Sequence, residues 1–508
     1  MSLHESIEVR HFFGVLLLAL LLFTFANRSK VIRRNGKPLR NPPNTLPLVG
    51  NGIRFLENRW KLFSWFDKCQ RQFGYETVAI SVPTLPPGAL IHDPRNLEYV
   101  FKHEGIFTKG NFVKRRSWDL FGSGIINADG EMWKTQRKAG LSFLNTANLR
   151  VLTDIALPNI LRESTEYLQS KKDTVDLQHV FHEITTQLMG KMAYNMEMHA
   201  DDEFSVSFDY ASGGTAERFQ NPLWPITEIF MGAKLRHSMT IVKRFGRGIV
   251  ANAVRDRQLH EKQDSTVAGN GESKLDQISG SLIQSLLEAI PSEDTVADAA
   301  LTYLSAGRDT TGQALTWTFY TLMRHPSVVA NIRREVEEQF AEKGIHPTPE
   351  DLDPTAFTPV TMPYTMAVFY EVLRLYPPIP FEIRQCMQDV ALPDGTFLPK
   401  DSVLIWCIWA MQRSKLTWGE DADEFRPERF LENGRLTSRS TSEYPVFYGG
   451  TRTCLGKKMA EAIAVQVIPT MAWLFEFTPV DDKDRVSKTS LTLPMEGGLP
   501  VSVKARAF

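Results

Sequence analysis

Cysteine is scarce in this chain. Only four occur in 508 residues, Cys69, Cys386, Cys407 and Cys454, widely spaced and with no C-x-x-C pair. That excludes a disulfide framework and a thiolate zinc site, and it points to a reducing compartment. Charge of one sign is equally lacking: 58 basic against 59 acidic side chains leave a net −1, too balanced for a nucleic-acid binder. There is no internal repeat, no Pro/Gly/Ser-rich linker long enough to separate domains, and no flavin or nicotinamide fingerprint. A length that would ordinarily divide into two or three domains therefore reads as one large domain built around a cofactor.

Long apolar runs are absent with one exception, 12–26 (FFGVLLLALLLFTFA), about 15 residues against the roughly 20 that cross a bilayer comfortably. No small-residue cleavage site follows it. Arg28, Lys30, Arg33, Arg34 and Lys37 do, a basic cluster that stays on the cytosolic side. Residues 1–40 are thus expected to be a single-pass N-terminal membrane anchor with its basic flank, and 41–508 the catalytic domain. Pro42, Pro43 and Pro47 forbid helix, so 41–50 is expected to form a stiff hinge. Beyond it helical periodicity dominates, with short strand-like runs at 76–82, 89–91, 379–384 and 403–409: mainly α with small β-sheets (α+β). Residues 264–274 (DSTVAGNGESK) are polar and small, a solvated loop.

The stretch 447–456 (FYGGTRTCLG) sets Cys454 among Gly449, Gly450 and Gly456. The glycines permit positive φ and close backbone approach, so that amide N–H groups can point at the sulfur. Apolar spacing from Leu455 to Trp473 predicts a helix, whose N-terminal partial charge also favours a thiolate. A free cysteine is more often a packed core residue; five fixed positions in ten residues, F-x-x-G-x-R-x-C-x-G, argue for a metal ligand instead.

A long helix is expected over 293–323. Within it Ser305-Ala-Gly-Arg-Asp-Thr-Thr-Gly312 breaks the usual propensities. Tyr303, Ala306, Gly307, Thr310 and Ala314 share a face, and the small pair Ala306 and Gly307 opens a notch for a flat ligand. Thr310 can bond the Ala306 carbonyl and Asp309 can relay protons. Trp133 and Arg137 lie four apart and can meet one ligand. Glu371 and Arg374 lie three apart on a helix expected over 362–376, which Pro377-Pro378 ends.

Taken together, these motifs resemble the cytochrome P450 family over roughly residues 40 to 505. The resemblance implies a single large haem domain behind a membrane anchor, with haem b (iron protoporphyrin IX) as cofactor. It implies that Cys454 is the axial thiolate, that Trp133, Arg137, Arg384 and Arg452 hold the haem propionates, that Asp309 and Thr310 handle protons, and that Arg429 joins Glu371 and Arg374. It further implies a monooxygenase that takes electrons from NADPH through a separate NADPH–cytochrome P450 reductase, with cytochrome b5 as a further partner. Lys134, Lys138, Lys457 and Lys458 would form the docking face. Membrane lipid, a small lipophilic substrate and an endoplasmic reticulum location with the catalytic domain in the cytosol complete the expectation; no nucleic acid is involved. Residues 219–225 would cap the substrate entrance, and Ile379, Phe381, Ile383 and the turn 494–499 would wall the site. The segment 122–138 looks like the fungal and plant branch that hydroxylates fatty acids and alkanes, while fungal enzymes of secondary metabolism are similar too. The alternatives are a haem-thiolate isomerase or peroxide-using enzyme, and a haem-based binder without catalysis.

Overall fold

The computed structural model describes residues 14–15, 31–47, 49–82, 85–263, 281–341, 348 and 352–507. The apolar run 12–26, apart from residues 14 and 15, and the loop 264–274 lie outside the described residues. Among the described residues no helix is long and apolar enough to cross a membrane.

Helix Glu293–Arg324 runs through the centre, buried nearly all round. It starts where its sequence says it should: the Ser292 hydroxyl accepts from the Thr295 amide, and Glu293 and Asp294 face the positive end of the helix. A helix so rich in threonine survives burial because the hydroxyls of Thr302, Thr310, Thr316, Thr318 and Thr321 each donate to the carbonyl four residues back, at 2.7–2.8 Å. Helices Leu177–Tyr194, Pro363–Leu375 and Lys457–Leu474 pack around it, and Phe181, Leu188, Leu304, Trp317, Phe369 and Ile468 join one core. Helix Pro363–Leu375 opens on proline and is capped by the Glu335 carboxylate, which accepts the Tyr364 and Thr365 amides at 2.6 and 2.9 Å.

The sheets are small, as expected. The largest has the order Val78–Ile80, Gly88–Leu90, Val403–Trp406, Glu382–Cys386, Phe107–Thr108. Val403 pairs with Gly88 in parallel, and Leu404 pairs with Arg384 antiparallel, which brings Arg384 into the domain interior. The strand expected at 379–384 begins only at Glu382, because Pro380 has no amide to give a ladder.

The chain already belongs to the domain from Arg33 onward. Strands Arg33–Arg34 and Lys37–Pro38 pair with each other, and Arg34 pairs with Thr396. The proline stretch is tied down at both ends of its first half: the Ala79 amide donates to the Arg40 carbonyl at 2.9 Å, and Trp65 Nε1 to the Pro43 carbonyl at 3.4 Å. Arg34 and Arg40 share the Glu76 carboxylate. The prolines therefore lay the chain along the domain instead of forming a free hinge.

Candidate active site

The cysteine loop is a closed turn: the Cys454 amide donates to the Phe447 carbonyl at 2.8 Å. Of the three glycines expected at positive φ, only Gly450 is there, at 65°; Gly449 is at −150° and Gly456 at −81°. Gly449 is small for a different reason, since a Cβ there would run into the Phe101 ring. The second left-handed residue is Tyr448, at φ 61°, a strained place for an aromatic residue. Packing holds it, with the Phe101 ring tilted against it at 4.6 Å and the Arg384 guanidinium 4.9 Å above it.

Cys454 opens onto a cavity of about 2350 Å³, its mouth included. The amides of Gly456 and Lys457 do point at the sulfur, but burial outweighs them and pushes the thiol pKa up. The loop and helix end thus favour an anionic sulfur, as expected, against the opposing effect of burial. The helix behind the loop begins at Lys457, close to where its apolar spacing places it.

From the long helix, Ala306, Gly307 and Thr310 face the same cavity. Ala306 is exposed in the middle of an otherwise buried helix, and Thr310 Oγ1 donates to its carbonyl at 2.7 Å, the bond expected from the sequence. Gly307 contributes less to the notch than expected, since a Cβ there would collide with Met189 on helix Leu177–Tyr194. Asp309 lies on the flank: its carboxylate accepts from Arg308 Nη1 at 2.9 Å, and the same nitrogen reaches Asp209 at 3.0 Å. Burial pushes the Asp309 pKa up, Arg308 opposes it and Asp209 adds to it. Asp309 and Thr492 also line a second, polar chamber of about 590 Å³ with His182, Asp209, Arg308 and Lys488. One carboxyl thus touches both spaces. Arg308 stands inside the singled-out motif, while Asp209 carried no signal in the sequence.

Trp133, Arg137, Arg384 and Arg452 all line the large cavity. The Arg137 and Arg452 guanidinium groups sit 5.5 and 4.7 Å from the Trp133 ring. Arg137 Nη1 donates to the Thr453 carbonyl at 3.0 Å, and Arg452 Nη2 to Asp129 at 2.8 Å. Arg384 Nη1 donates to Glu382 at 2.7 Å. Lys109, which sequence reasoning missed, reaches Glu382 from the other side at 3.2 Å. Burial and Arg384 lower its pKa to about 8. Burial alone would raise the Glu382 carboxyl, yet Lys109 and Arg384 together hold it at about 2.

Ile379, Phe381 and Ile383 are cavity walls, as expected; the turn 494–499 is not, and Leu491 and Thr492 take its place. Phe219 is a wall, but helix Trp224–Met231 after it buries no side chain. Behind the site Glu371, Arg374 and Arg429 do meet. Glu371 Oε1 accepts from Arg374 Nη2 at 2.8 Å and from Arg429 Nε at 3.2 Å, with Glu371 and Arg374 fully buried.

The family model described as cytochrome P450 matches residues 41–499. The chain is 29% identical to cytochrome P450 94B1 of Arabidopsis thaliana over 506 residues, covering 96% of this chain and 95% of that protein. It is 28% identical to cytochrome P450 94A1 of Vicia sativa, covering 91% and 90%. It is 30% identical to cytochrome P450 monooxygenase cyp1 of Mycosarcoma maydis, covering 88% of this chain and 71% of that protein. The chain belongs to the cytochrome P450 family, and it is an oxygen-incorporating oxidoreductase, a monooxygenase. The family uses haem b, with electrons from NAD(P)H by way of a reductase.

The residues present fit that cofactor. A sulfur donor faces a chamber whose other wall residues include an exposed alanine, and cations at 109, 137, 384 and 452 line the same space, suited to two propionates. Gly456 is the sharpest test. A Cβ there would meet only Cys454 Sγ, at 3.9 Å, and its φ suits any residue. Among the described residues nothing requires glycine at 456, which leaves the space beside the sulfur open to a flat group.

Proposed function

We propose that this protein inserts one oxygen atom from O2 into a C–H bond of a long-chain lipophilic substrate, a fatty acid or alkane, with electrons from NADPH through NADPH–cytochrome P450 reductase. The observation that carries the reading is that Cys454, Thr310 and the apolar walls Phe208, Ile379, Phe381, Ile383 and Leu491 share one cavity. Its shape and lining suit a flexible hydrocarbon, and the resemblance of residues 122–138 to fatty-acid and alkane hydroxylases agrees.

In this reading Cys454 would hold the haem iron through its sulfur, and Trp133, Arg137, Arg384 and Arg452 would hold the propionates. Haem b, when bound, supplies the activation of dioxygen. The chain's own residues do the rest. Thr310 spends its proton on the Ala306 carbonyl, so its oxygen lone pairs are left to accept a hydrogen bond from the cavity side. Asp309, whose raised pKa lets it hold a proton closer to neutral pH than an ordinary aspartate does, passes protons from the polar chamber toward Thr310. The apolar walls exclude water from the reacting C–H bond. Lys134, Lys138, Lys457 and Lys458 are exposed and form the reductase docking face, which cytochrome b5 shares. Within residues 1–40 the apolar run 12–26 anchors the chain in the endoplasmic reticulum membrane, while 33–40 pack onto the catalytic domain that 41–508 form on the cytosolic side.

The test begins with the reduced, carbon-monoxide-bound spectrum, which reports a thiolate ligand, and continues with the low-to-high spin shift. Long-chain acids and alkanes are expected to give the shift. Silence from all of them beside a response to polyketides or terpenoids would move the substrate to secondary metabolism. Turnover without any reductase would favour the peroxide-using or isomerase alternative.

A further inference from the structure

Just ahead of Cys454 the chain makes one short turn, Gly450–Arg452, which buries no side chain. A single turn of this kind has little to hold it in place by itself. The Thr453 amide and hydroxyl both donate to the Gly450 carbonyl, at 3.3 and 2.8 Å, and close the turn without fixing where it lies. Its position is set from outside. Helix Pro94–Lys102 packs against it, and the residue that bonds it is Glu104, just beyond that helix. One carboxylate oxygen accepts the Arg452 amide at 3.0 Å, and the other accepts the Thr451 hydroxyl. The second oxygen also stands 3.8 Å from Arg452 Nε. The fit leaves no room: a Cβ at Gly450 would lie 3.0 Å from the first oxygen and would strike the Phe101 carbonyl.

The loop's amides are divided by this contact. Those of Gly456 and Lys457 point at the sulfur, whereas that of Arg452 points away from it, to Glu104. Glu104 thus holds the outer side of the loop while Arg137, donating to the Thr453 carbonyl at 3.0 Å, holds it from the cavity. Charge matters as well as position. The Arg452 side chain lines the large cavity, and the Glu104 side chain is only 16% exposed, so solvent screens it poorly. A carboxylate so close to the guanidinium offsets part of the positive field that Arg452 turns on the cavity.

We propose that Glu104 is a positioning residue for the reaction: it fixes the turn that carries Arg452 and Cys454, and its charge sets how readily the cavity accepts an electron. Each electron that the reductase delivers adds one negative charge there. The cations at 109, 137, 384 and 452 favour its arrival, and the Glu104 carboxylate opposes it. The inference rests on the reading that Cys454 and Arg452 hold the haem, and it adds a residue that touches neither the cofactor nor the substrate.

The experiment compares full-length wild type, Glu104→Gln and Glu104→Ala by the one-electron midpoint potential, the reduced, carbon-monoxide-bound spectrum and haem retention on dialysis. Glutamine separates charge from position. It keeps an oxygen for the Arg452 amide, and its NH2 group meets a Thr451 hydroxyl that can accept as well as donate. Glu104→Gln should therefore keep the thiolate spectrum and the haem, while its potential rises by about three- to tenfold in the reduction equilibrium, about 30–60 mV at 59 mV per tenfold. Glu104→Ala gives up both bonds; its thiolate signature should weaken and its haem loss rise several-fold. An unchanged potential in Glu104→Gln overturns the inference whatever Glu104→Ala does, because a residue that merely supports the fold would lower melting without moving the potential. Full haem retention and an intact spectrum in Glu104→Ala overturn it too. Should Glu104→Ala fail to fold, the potential of Glu104→Gln decides alone. If wild type itself shows no thiolate signature, the reading of Cys454 fails and takes the inference with it.

Discussion

Glu371 is the best place to test whether a buried ion network holds the cysteine loop. Its two oxygens accept from Arg374 Nε at 2.7 Å, Arg374 Nη2 at 2.8 Å, Arg429 Nε at 3.2 Å and the Arg426 amide at 2.9 Å. Replacing it with leucine leaves the Arg374 charge buried with carbonyl partners only, whereas Arg429 keeps Asp421 at 2.8 Å. Removing one member of such a pair costs about 3–5 kcal/mol. At about 2.1 cal/mol/K per residue over 508 residues, each kcal/mol moves the melting midpoint by about 1 °C. Glu371→Leu is therefore expected to lower the midpoint by about 3–5 °C, and Arg374→Met by at least as much. The double variant no longer buries the Arg374 cation or leaves Glu371 short of its partner. It should fall short of the summed single effects by about 2–3 °C, the size of a strong pairwise coupling. The consequence reaches the active site along a short path. Arg374 Nη1 donates to the Gln412 carbonyl at 2.6 Å, and the Gln412 side chain donates to the Glu443 carbonyl at 2.8 Å, just ahead of the cysteine loop. Differential scanning calorimetry and the haem-to-protein ratio after dialysis measure both effects. Additive melting shifts, or loosened packing with fully retained haem, would refute the argument.

Three other perturbations follow from the site. Thr310→Ala should keep haem and fold but lose the lone-pair acceptor in the cavity, so NADPH consumption with reductase should yield mainly hydrogen peroxide; unchanged coupling of NADPH to product counts against the assigned role. Gly456→Ala should leave the melting of the haem-free protein within about 1 °C, because its Cβ meets only Cys454 Sγ, while haem incorporation falls several-fold; normal loading would mean that the cofactor does not lie there. Glu382, held at about 2 against an ordinary value of about 4.3, contributes stability that is present above pH ~4.3 and fades as pH falls toward 2. Glu382→Gln should flatten that region of a pH–melting curve, and a curve parallel to wild type would show that Lys109 and Arg384 do not depress the carboxyl.

What the sequence disclosed was local. The helix expected over 293–323 is Glu293–Arg324, and the one over 362–376 is Pro363–Leu375, because their limits are written in Ser292 and in the prolines at 363, 377 and 378. Trp133 and Arg137 meet because four residues make about one helical turn, and Glu371 meets Arg374 for a similar reason. What it concealed was the choice of distant partners. No spacing announces that Lys109 bonds Glu382 across 273 positions, that Phe101 props up a left-handed Tyr448, or that Leu491 and not the turn after it walls the cavity. The proline stretch misled for the same reason. Proline forbids helix, but only the tertiary bonds from Ala79 and Trp65 decide whether the extended chain swings free or lies down.

Cys454 draws these two levels together. Its motif was readable because glycine, arginine and cysteine recur at fixed positions, yet the opposing effect at the sulfur was not: burial raises its pKa while the amides of Gly456 and Lys457 lower it. A bound cation that held this sulfur as a thiolate would stabilise the loop by linkage, in proportion to how tightly it was held. The buried network at Glu371 then has a defined task. It keeps the path from Gln412 to Glu443 in place just ahead of the cysteine loop.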